Sequence, residues 1–136
     1  MKLAIIPARG GSKRIARKNI RPFAGRPVIA YSVEAALGSR CFDHVIVSTD
    51  DDEIADIARA CGAEVPFTRP AALSDDHTVL ADVIVHAIEW FEGRGQPVQA
   101  ACCVFATAPF VSAAAIRQGA DALAGGKSFA IAVTSF

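Results

Sequence analysis

Residues 5–20 of the chain read IIPARGGSKRIARKNI. Two apolar residues run into the paired glycines Gly10 and Gly11, with Ser12 and the cations Arg9, Lys13 and Lys18 close by. Glycines permit backbone angles that bulkier residues avoid, so consecutive N–H groups can converge on an oxyanion. Ser12 adds a hydroxyl donor, and the three cations add the charge-assisted hydrogen bonds that phosphate oxygens accept. The chemistry on offer is polyphosphate binding. The spacing matches neither GxxxxGK(S/T) nor GxGxxG, so this is a phosphate loop of another design. The plain alternative is a solvated basic loop between a strand and a helix.

Charge distribution supports a single anionic ligand. The 136 residues carry 14 Lys and Arg against 14 Asp and Glu, a net charge of zero that gives no sign of nucleic acid. Yet seven of those cations fall between Arg9 and Arg26, and no acid precedes Glu34. A field this one-sided on a balanced chain suits one anion bound at one place. An Arg-rich, acid-poor transit peptide would share the bias, but residues 3–6 read as a core strand that a removable peptide would not supply.

Other polar residues have simpler readings. Arg69 precedes Pro70 just after a weak strand, which makes it either a second anion contact or a surface arginine before a turn. The acidic run at residues 50–53 sits at a strand end and opens a helix, where carboxylates cap N–H groups and favour the dipole. Asp75 and Asp76 precede a further helix with the same explanation, and Asp121 reads as surface. Cys41, Cys61, Cys102 and Cys103 have no CxxC spacing and read as reduced, mostly buried thiols. His44, His77 and His86 form no metal pair.

These residues need elements to hold them. Apolar, β-branched runs at residues 3–6, 45–48, 101–105 and 129–133, with a weaker one at 64–67, have the near-continuous hydrophobicity of parallel strands covered on both faces. Helical patterns lie between them at 27–37, 51–61, 79–91 and 113–123. The first begins with proline and closes near Gly38, the second is followed by Gly62, and the last ends at Gly125-Gly126. Alternating βαβαβαβαβ order implies an α/β fold, a doubly wound sandwich with a mainly parallel sheet. The phosphate loop then lies at the carboxyl end of the first strand, where such sheets bind ligands. No linker divides residues 1–136, so they read as one domain. Because the chain stops a few residues past the last expected strand, that domain is expected to be incomplete. No apolar run approaches the roughly 20 residues of a membrane span.

The first motif, together with FAGRPVIAYS (23–32), VIVSTD (45–50), RPAALSD (69–75) and HAIE (86–89), resembles the CMP-sugar synthetases for acidic sugars. Within them the chain is most similar to the acylneuraminate and pseudaminic acid cytidylyltransferases. The resemblance implies a Rossmann-like α/β/α sandwich of the nucleotide-diphospho-sugar transferase type, with CTP bound by the N-terminal part. It implies transfer of CMP from CTP to a nonulosonic acid, with pyrophosphate released. Arg9, Lys13 and Lys18 carry over as catalytic residues. Ala8, Gly10, Gly11, Ser12, Asn19, Arg69, Phe105 and Thr107 carry over as substrate-binding ones. Magnesium is the implied cofactor, with its ligands beyond residue 136. A cytoplasmic homodimer is the implied state of the full-length protein.

One departure is informative. Where acylneuraminate enzymes carry a glutamine that contacts the acceptor sugar, CCVFATAPF (102–110) places Phe105, as in the pseudaminic acid branch. A ring in place of an amide removes hydrogen-bonding groups and adds apolar surface. The expected acceptor is therefore pseudaminic acid or, more broadly, an acylneuraminic acid. The alternatives are a Kdo-type sugar nucleotidyltransferase, or a CTP-binding module inactive as it stands.

Overall fold

The computed structural model describes residues 1–11, 17–133 and 135. The first apolar run forms β1 (Lys2–Pro7), and a two-residue-per-strand hairpin follows, β2 (Pro22–Phe23) and β3 (Arg26–Pro27). Then come α1 (Val28–Ser39), β4 (His44–Ser48), α2 (Asp52–Ala60), a single 3₁₀ turn at Ala71–Leu73, α3 (Leu80–Glu92), β5 (Ala100–Cys103) and α4 (Ala113–Ala124). The main sheet is parallel with strand order β4-β1-β5, and β1 runs in register from Leu3↔His44 to Pro7↔Ser48 on one side and from Lys2↔Ala100 to Ile5↔Cys103 on the other.

Strand alternation divides β1 and β4 between two apolar layers. Ala4, Ile6, Val45 and Val47 meet Ile29 and Val33 of α1, Ile54 and Ala58 of α2, and Ile116 of α4. Leu3, Ile5 and Ile46 meet Ala87 and Phe91 of α3 on the opposite face. Helices thus cover both faces, which makes the architecture the expected doubly wound sandwich. Leu3, Ile5, Ile6, Ile29, Ile46 and Ile54 have no exposed surface. Burial of each stabilises the fold by about 1.5–3 kcal/mol relative to exposure.

Local chemistry fixes the helix ends. The Asp51 carboxylate accepts the Ile54 N–H at 3.0 Å to start α2, and the Ser112 hydroxyl accepts from Ala115 at 3.0 Å to start α4. Gly62, with φ near 100°, follows α2 as anticipated. Gly38 does not close α1. The helix runs on to Ser39, and Arg40 takes the left-handed turn at φ 57°.

Two strand expectations are corrected. Residues 64–67 contribute a single bridge, Ile46↔Glu64, because Pro66 cannot donate to a ladder. Residues 129–133 form no strand; Phe129 and Ile131 stand 75% and 73% exposed, without a neighbour to pair with. The cysteines also differ: Cys103 is exposed and the other three are half-buried. Cys102 and Cys103 lie on β5, at the edge of the described sheet, while Cys41 and Cys61 follow the ends of α1 and α2. No described helix is long and apolar enough to cross a membrane.

Candidate anion-binding site

From β1 the chain passes to β4 on one side and later to β5 on the other. That reversal opens a crevice beyond the carboxyl ends of β1 and β5, the ordinary ligand position in this class of sheet. A cleft of about 210 Å³ occupies it. Pro7 and Arg9 line it from the end of β1, Ala106 and Thr107 from the end of β5, and Asp76 and Thr78 from the segment before α3. Six residues expected at the site meet there: Arg9, Lys18, Asn19, Arg69, Phe105 and Thr107.

Asn19 is 5% exposed and donates from Nδ2 to the Arg9 carbonyl at 2.9 Å, which fixes the backbone at the head of the loop. The Arg9 guanidinium reaches across the cleft to Asp76 at 2.7 Å. Lys18 is exposed. Arg69 is 4% exposed, which removes the surface-arginine reading. It donates to the Ser48 hydroxyl and carbonyl and to the Leu73 carbonyl, and its backbone N–H donates to the Thr49 carbonyl. All of these acceptors are neutral. Burial pushes its guanidinium below the ordinary arginine value; Asp50 opposes that shift and Arg9 adds to it. A buried cation bonded only to neutral oxygens favours an incoming anion strongly.

The glycines act differently from expectation. Neither Gly10 nor Gly11 has positive φ. Gly10 is required by proximity, since a Cβ there would stand 2.7 Å from Asp51 Oδ2, whereas one at Gly11 would meet no described residue within 4 Å. The Gly10 N–H donates to Asp50 Oδ1 at 2.9 Å, so in this state a carboxylate holds that donor. Ala8 is buried, donates its N–H to the Ser48 carbonyl at 2.9 Å and does not line the cleft. Ser12 and Lys13 lie outside the described residues.

The acids are also more varied than helix caps. Asp51 caps α2 but also takes both Arg17 terminal nitrogens at 2.7 and 2.8 Å, and Glu53 takes one at 2.7 Å. Arg17, at φ 52°, is held in a left-handed conformation that is unfavourable for a residue with a Cβ. Its hydrogen bonds first, against some desolvation, depress the Asp51 carboxyl to a pKa of about 2. Asp75 accepts from the His77 N–H and the Thr78 hydroxyl, closing a turn, while α3 follows Val79 without a side-chain cap. Arg17 was not named from the sequence, although an arginine eight residues beyond Arg9 and an acidic run at the next strand end were the available signal.

Among the described residues no group of three or more His, Cys, Asp and Glu is placed to hold a metal ion. Asp50 and Asp51 are already committed to Gly10 and Arg17. The described residues therefore do not form a magnesium site, and no step is assigned to one.

The pseudaminic acid cytidylyltransferase of Campylobacter jejuni is 45% identical over 135 residues, 98% of this chain and 58% of that protein. The CMP-N,N'-diacetyllegionaminic acid synthase of Legionella pneumophila is 37% identical over 88% of this chain and 51% of its own. The chain thus spans little more than half the length of these relatives. A solved CMP:2-keto-3-deoxy-manno-octonic acid synthetase complexed with CTP shares the fold, with a TM-score of 0.75 over 92% of this chain and 48% of that one at 24% identity. A family model described as cytidylyltransferase matches residues 3–134, and the chain belongs to that family.

Proposed function

We propose that this chain is the CTP-binding part of an enzyme that transfers CMP to a nonulosonic acid. The carrying observation is the convergence of Arg9, Lys18 and buried Arg69 on one cleft at the strand-order reversal. In the reaction the anomeric hydroxyl oxygen of a 2-keto sugar acid attacks the α-phosphorus of CTP. The bond from that phosphorus to its bridging oxygen breaks, pyrophosphate leaves with the electron pair, and the hydroxyl proton is lost. The protein's part is positioning and charge neutralisation, which needs no nucleophilic side chain. We assign the charge neutralisation to Arg9, Lys13, Lys18 and Arg69, with Asn19 fixing the loop. The magnesium expected from the resemblance would draw its ligands from beyond residue 136, and no group of described residues in the cleft substitutes for them.

The acceptor within this reading is pseudaminic acid. Its support is Phe105 in the place of an amide, together with the 45% identity to an enzyme named for that sugar. The full-length enzyme on this reading is a cytoplasmic homodimer. Calorimetric titration with CTP, ATP, GTP and UTP tests the nucleotide, and CTP should bind at least tenfold more tightly than the others. Pyrophosphate release with pseudaminic, N-acetylneuraminic and Kdo acceptors tests the transfer. A preference for another nucleotide would overturn the reading.

A further inference from the structure

Four consecutive residues, 48–51, brace the anion site from one side. Ser48 and Thr49 accept from Arg69, Asp50 accepts the Gly10 N–H, and Asp51 accepts the Arg17 guanidinium. In the sequence Gly10 and Arg17 stand on either side of residues 12–16, so adjacent carboxylates fasten the chain before and after that basic stretch. The brace is itself fixed. Thr49 is buried, its hydroxyl accepts the Asp51 N–H at 3.2 Å, and Asp51 accepts the Ile54 N–H that starts α2.

Arg17 sits at φ 52°, a conformation that a residue with a Cβ keeps where its surroundings impose it. Here its own side chain supplies the constraint, through three bonds of 2.7–2.8 Å to Asp51 and Glu53. The Arg17 carbonyl accepts the Ile20 N–H at 3.1 Å, closing a turn whose inner residues are Lys18 and Asn19. Both of these line the cleft. Asn19 is locked by its bond to the Arg9 carbonyl, but among the described residues no carboxylate holds the Lys18 ammonium. The aim of Lys18 is therefore set by the turn, and the turn by Arg17. Resting on the CTP reading of the cleft, we infer that Arg17 is a positioning residue: clamped by Asp51 and Glu53, it sets the turn that points Lys18 at the nucleotide's phosphates.

The geometry separates this role from two simpler ones. Arg17 does not line the cleft, and its terminal nitrogens are already committed to carboxylates, so it is not placed as a phosphate ligand. Its side chain is 38% exposed, and an ion pair so open to water adds little to stability. What the contact does supply is direction. A planar fork held at three oxygens fixes the orientation of the residue that bears it, which a single ammonium on a flexible stem does not.

The test is the CTP Kd of the chain and its variants by calorimetry, with divalent cations removed and far below each unfolding temperature, so that lost stability does not enter. Arg17→Gln should bind CTP at least tenfold more weakly, and Arg17→Lys should recover part of that loss. The reading that a merely structural role would not move is a cycle with Lys18→Ala. Because Arg17 acts through Lys18, adding Lys18→Ala to Arg17→Gln should weaken CTP by no more than a further twofold. Asp51→Asn loosens the clamp and should weaken CTP at least threefold. Tighter binding by Asp51→Asn would mean that a freed Arg17 takes the phosphates itself, and would overturn the inference. Wild-type affinity in Arg17→Gln, or two losses that multiply in the double variant, would overturn it also. A wild-type chain that binds no CTP would remove the reading of the cleft together with the inference, whereas each of the other failures removes the inference alone.

Discussion

Arg69 grips one residue of the neighbouring strand end twice, donating from Nε to the Ser48 hydroxyl at 3.1 Å and from a terminal nitrogen to the Ser48 carbonyl at 2.6 Å. Ser48 ends β4, and its carbonyl also receives the Ala8 N–H at the end of β1. One buried guanidinium therefore ties together the two strand ends from which the phosphate loop and the acidic run depart. Position and charge are joined in this residue.

Arg69→Ala should accordingly damage both stability and binding. It leaves buried oxygens without their donors, a loss of about 2 kcal/mol, or several degrees in Tm. CTP should bind at least tenfold more weakly. Arg69→Lys keeps the charge but cannot donate in the same fork, so it should recover less than half of the affinity. Thermal unfolding and calorimetric titration of both variants check this; an Arg69→Ala protein with wild-type affinity would remove Arg69 from the site.

Gly10 and Gly11 should respond oppositely to alanine. At Gly10 the new Cβ meets Asp51 Oδ2 at 2.7 Å and the Asp51 Cβ at 2.9 Å, so Asp51 must shift from Arg17 and from the Ile54 N–H. We expect Gly10→Ala to lose about 1–2 kcal/mol of stability. Gly11→Ala, with no described residue near its Cβ and no positive φ, should stay within about 0.5 kcal/mol of wild type. Denaturant unfolding of the pair is the measurement, and equal effects would contradict the close approach.

The Asp51 carboxyl gives the fold an acid-sensitive element. Its folded pKa of about 2 lies below the ordinary 3.8, so the unfolded chain binds the proton at higher pH. The associated stability is present above about pH 4 and is lost as pH falls through about 2. A shift of this size corresponds to at most about 2 kcal/mol, and with Arg17 at the surface roughly 1 is expected. Asp51→Asn should lower stability at pH 6 and flatten its fall between about pH 4 and pH 2. Urea unfolding across that range checks it, and an unchanged slope would show that the Arg17 pair contributes nothing.

Much of this was legible in the sequence because burial leaves a direct trace in composition. The runs at 3–6 and 45–47 are apolar at every position since β1 and β4 are covered on both faces, and the four helices follow from their apolar spacing. Residues 129–133 have the same composition and form no strand, because a strand is defined by its neighbours as well as its own residues. The β2–β3 hairpin escaped because its strands are two residues long and its turn uses Ala24 at φ 49° before Gly25. At the site, residue types announced the cations. They could not show that Asp50 and Asp76 would face Gly10 and Arg9, since those partners lie 40 and 67 residues away in the chain.

Phe105 should bias the choice of acceptor. A ring offers no hydrogen bond to a hydroxyl that gives up water to approach it, and such a hydroxyl is rejected by only ~10²-fold in a comparable apolar pocket. In the full-length enzyme, kcat/KM should favour pseudaminic over N-acetylneuraminic acid, and Phe105→Gln should narrow the gap. The Ser32 hydroxyl bonds the Phe105 carbonyl at 2.6 Å, so the backbone should hold its place in the variant. Equal wild-type values for the two sugars would return the acceptor to the broader acylneuraminate class.

Asp76 should compete with the nucleotide for Arg9. The two side chains face each other across the cleft at 2.7 Å, and both are about a third exposed, at 27% and 30%. An ion pair in that setting is worth about 0–1 kcal/mol. An arriving phosphate offers the same guanidinium a more highly charged acceptor and brings negative charge next to the Asp76 carboxylate, which disfavours keeping both. Asp76→Asn removes the competing charge, so CTP and inorganic tripolyphosphate should both bind more tightly, by up to about fivefold. The gain should shrink as salt is raised from about 0.05 to 0.5 M, since the groups are solvent-accessible. In Arg9→Ala the same Asp76→Asn change should yield a smaller gain, because the pair no longer exists to be exchanged. Calorimetry on the two single variants and the double variant measures that coupling directly. Weaker binding by Asp76→Asn alone would mean that the carboxylate holds Arg9 in place for the phosphate, and that the pair persists in the complex.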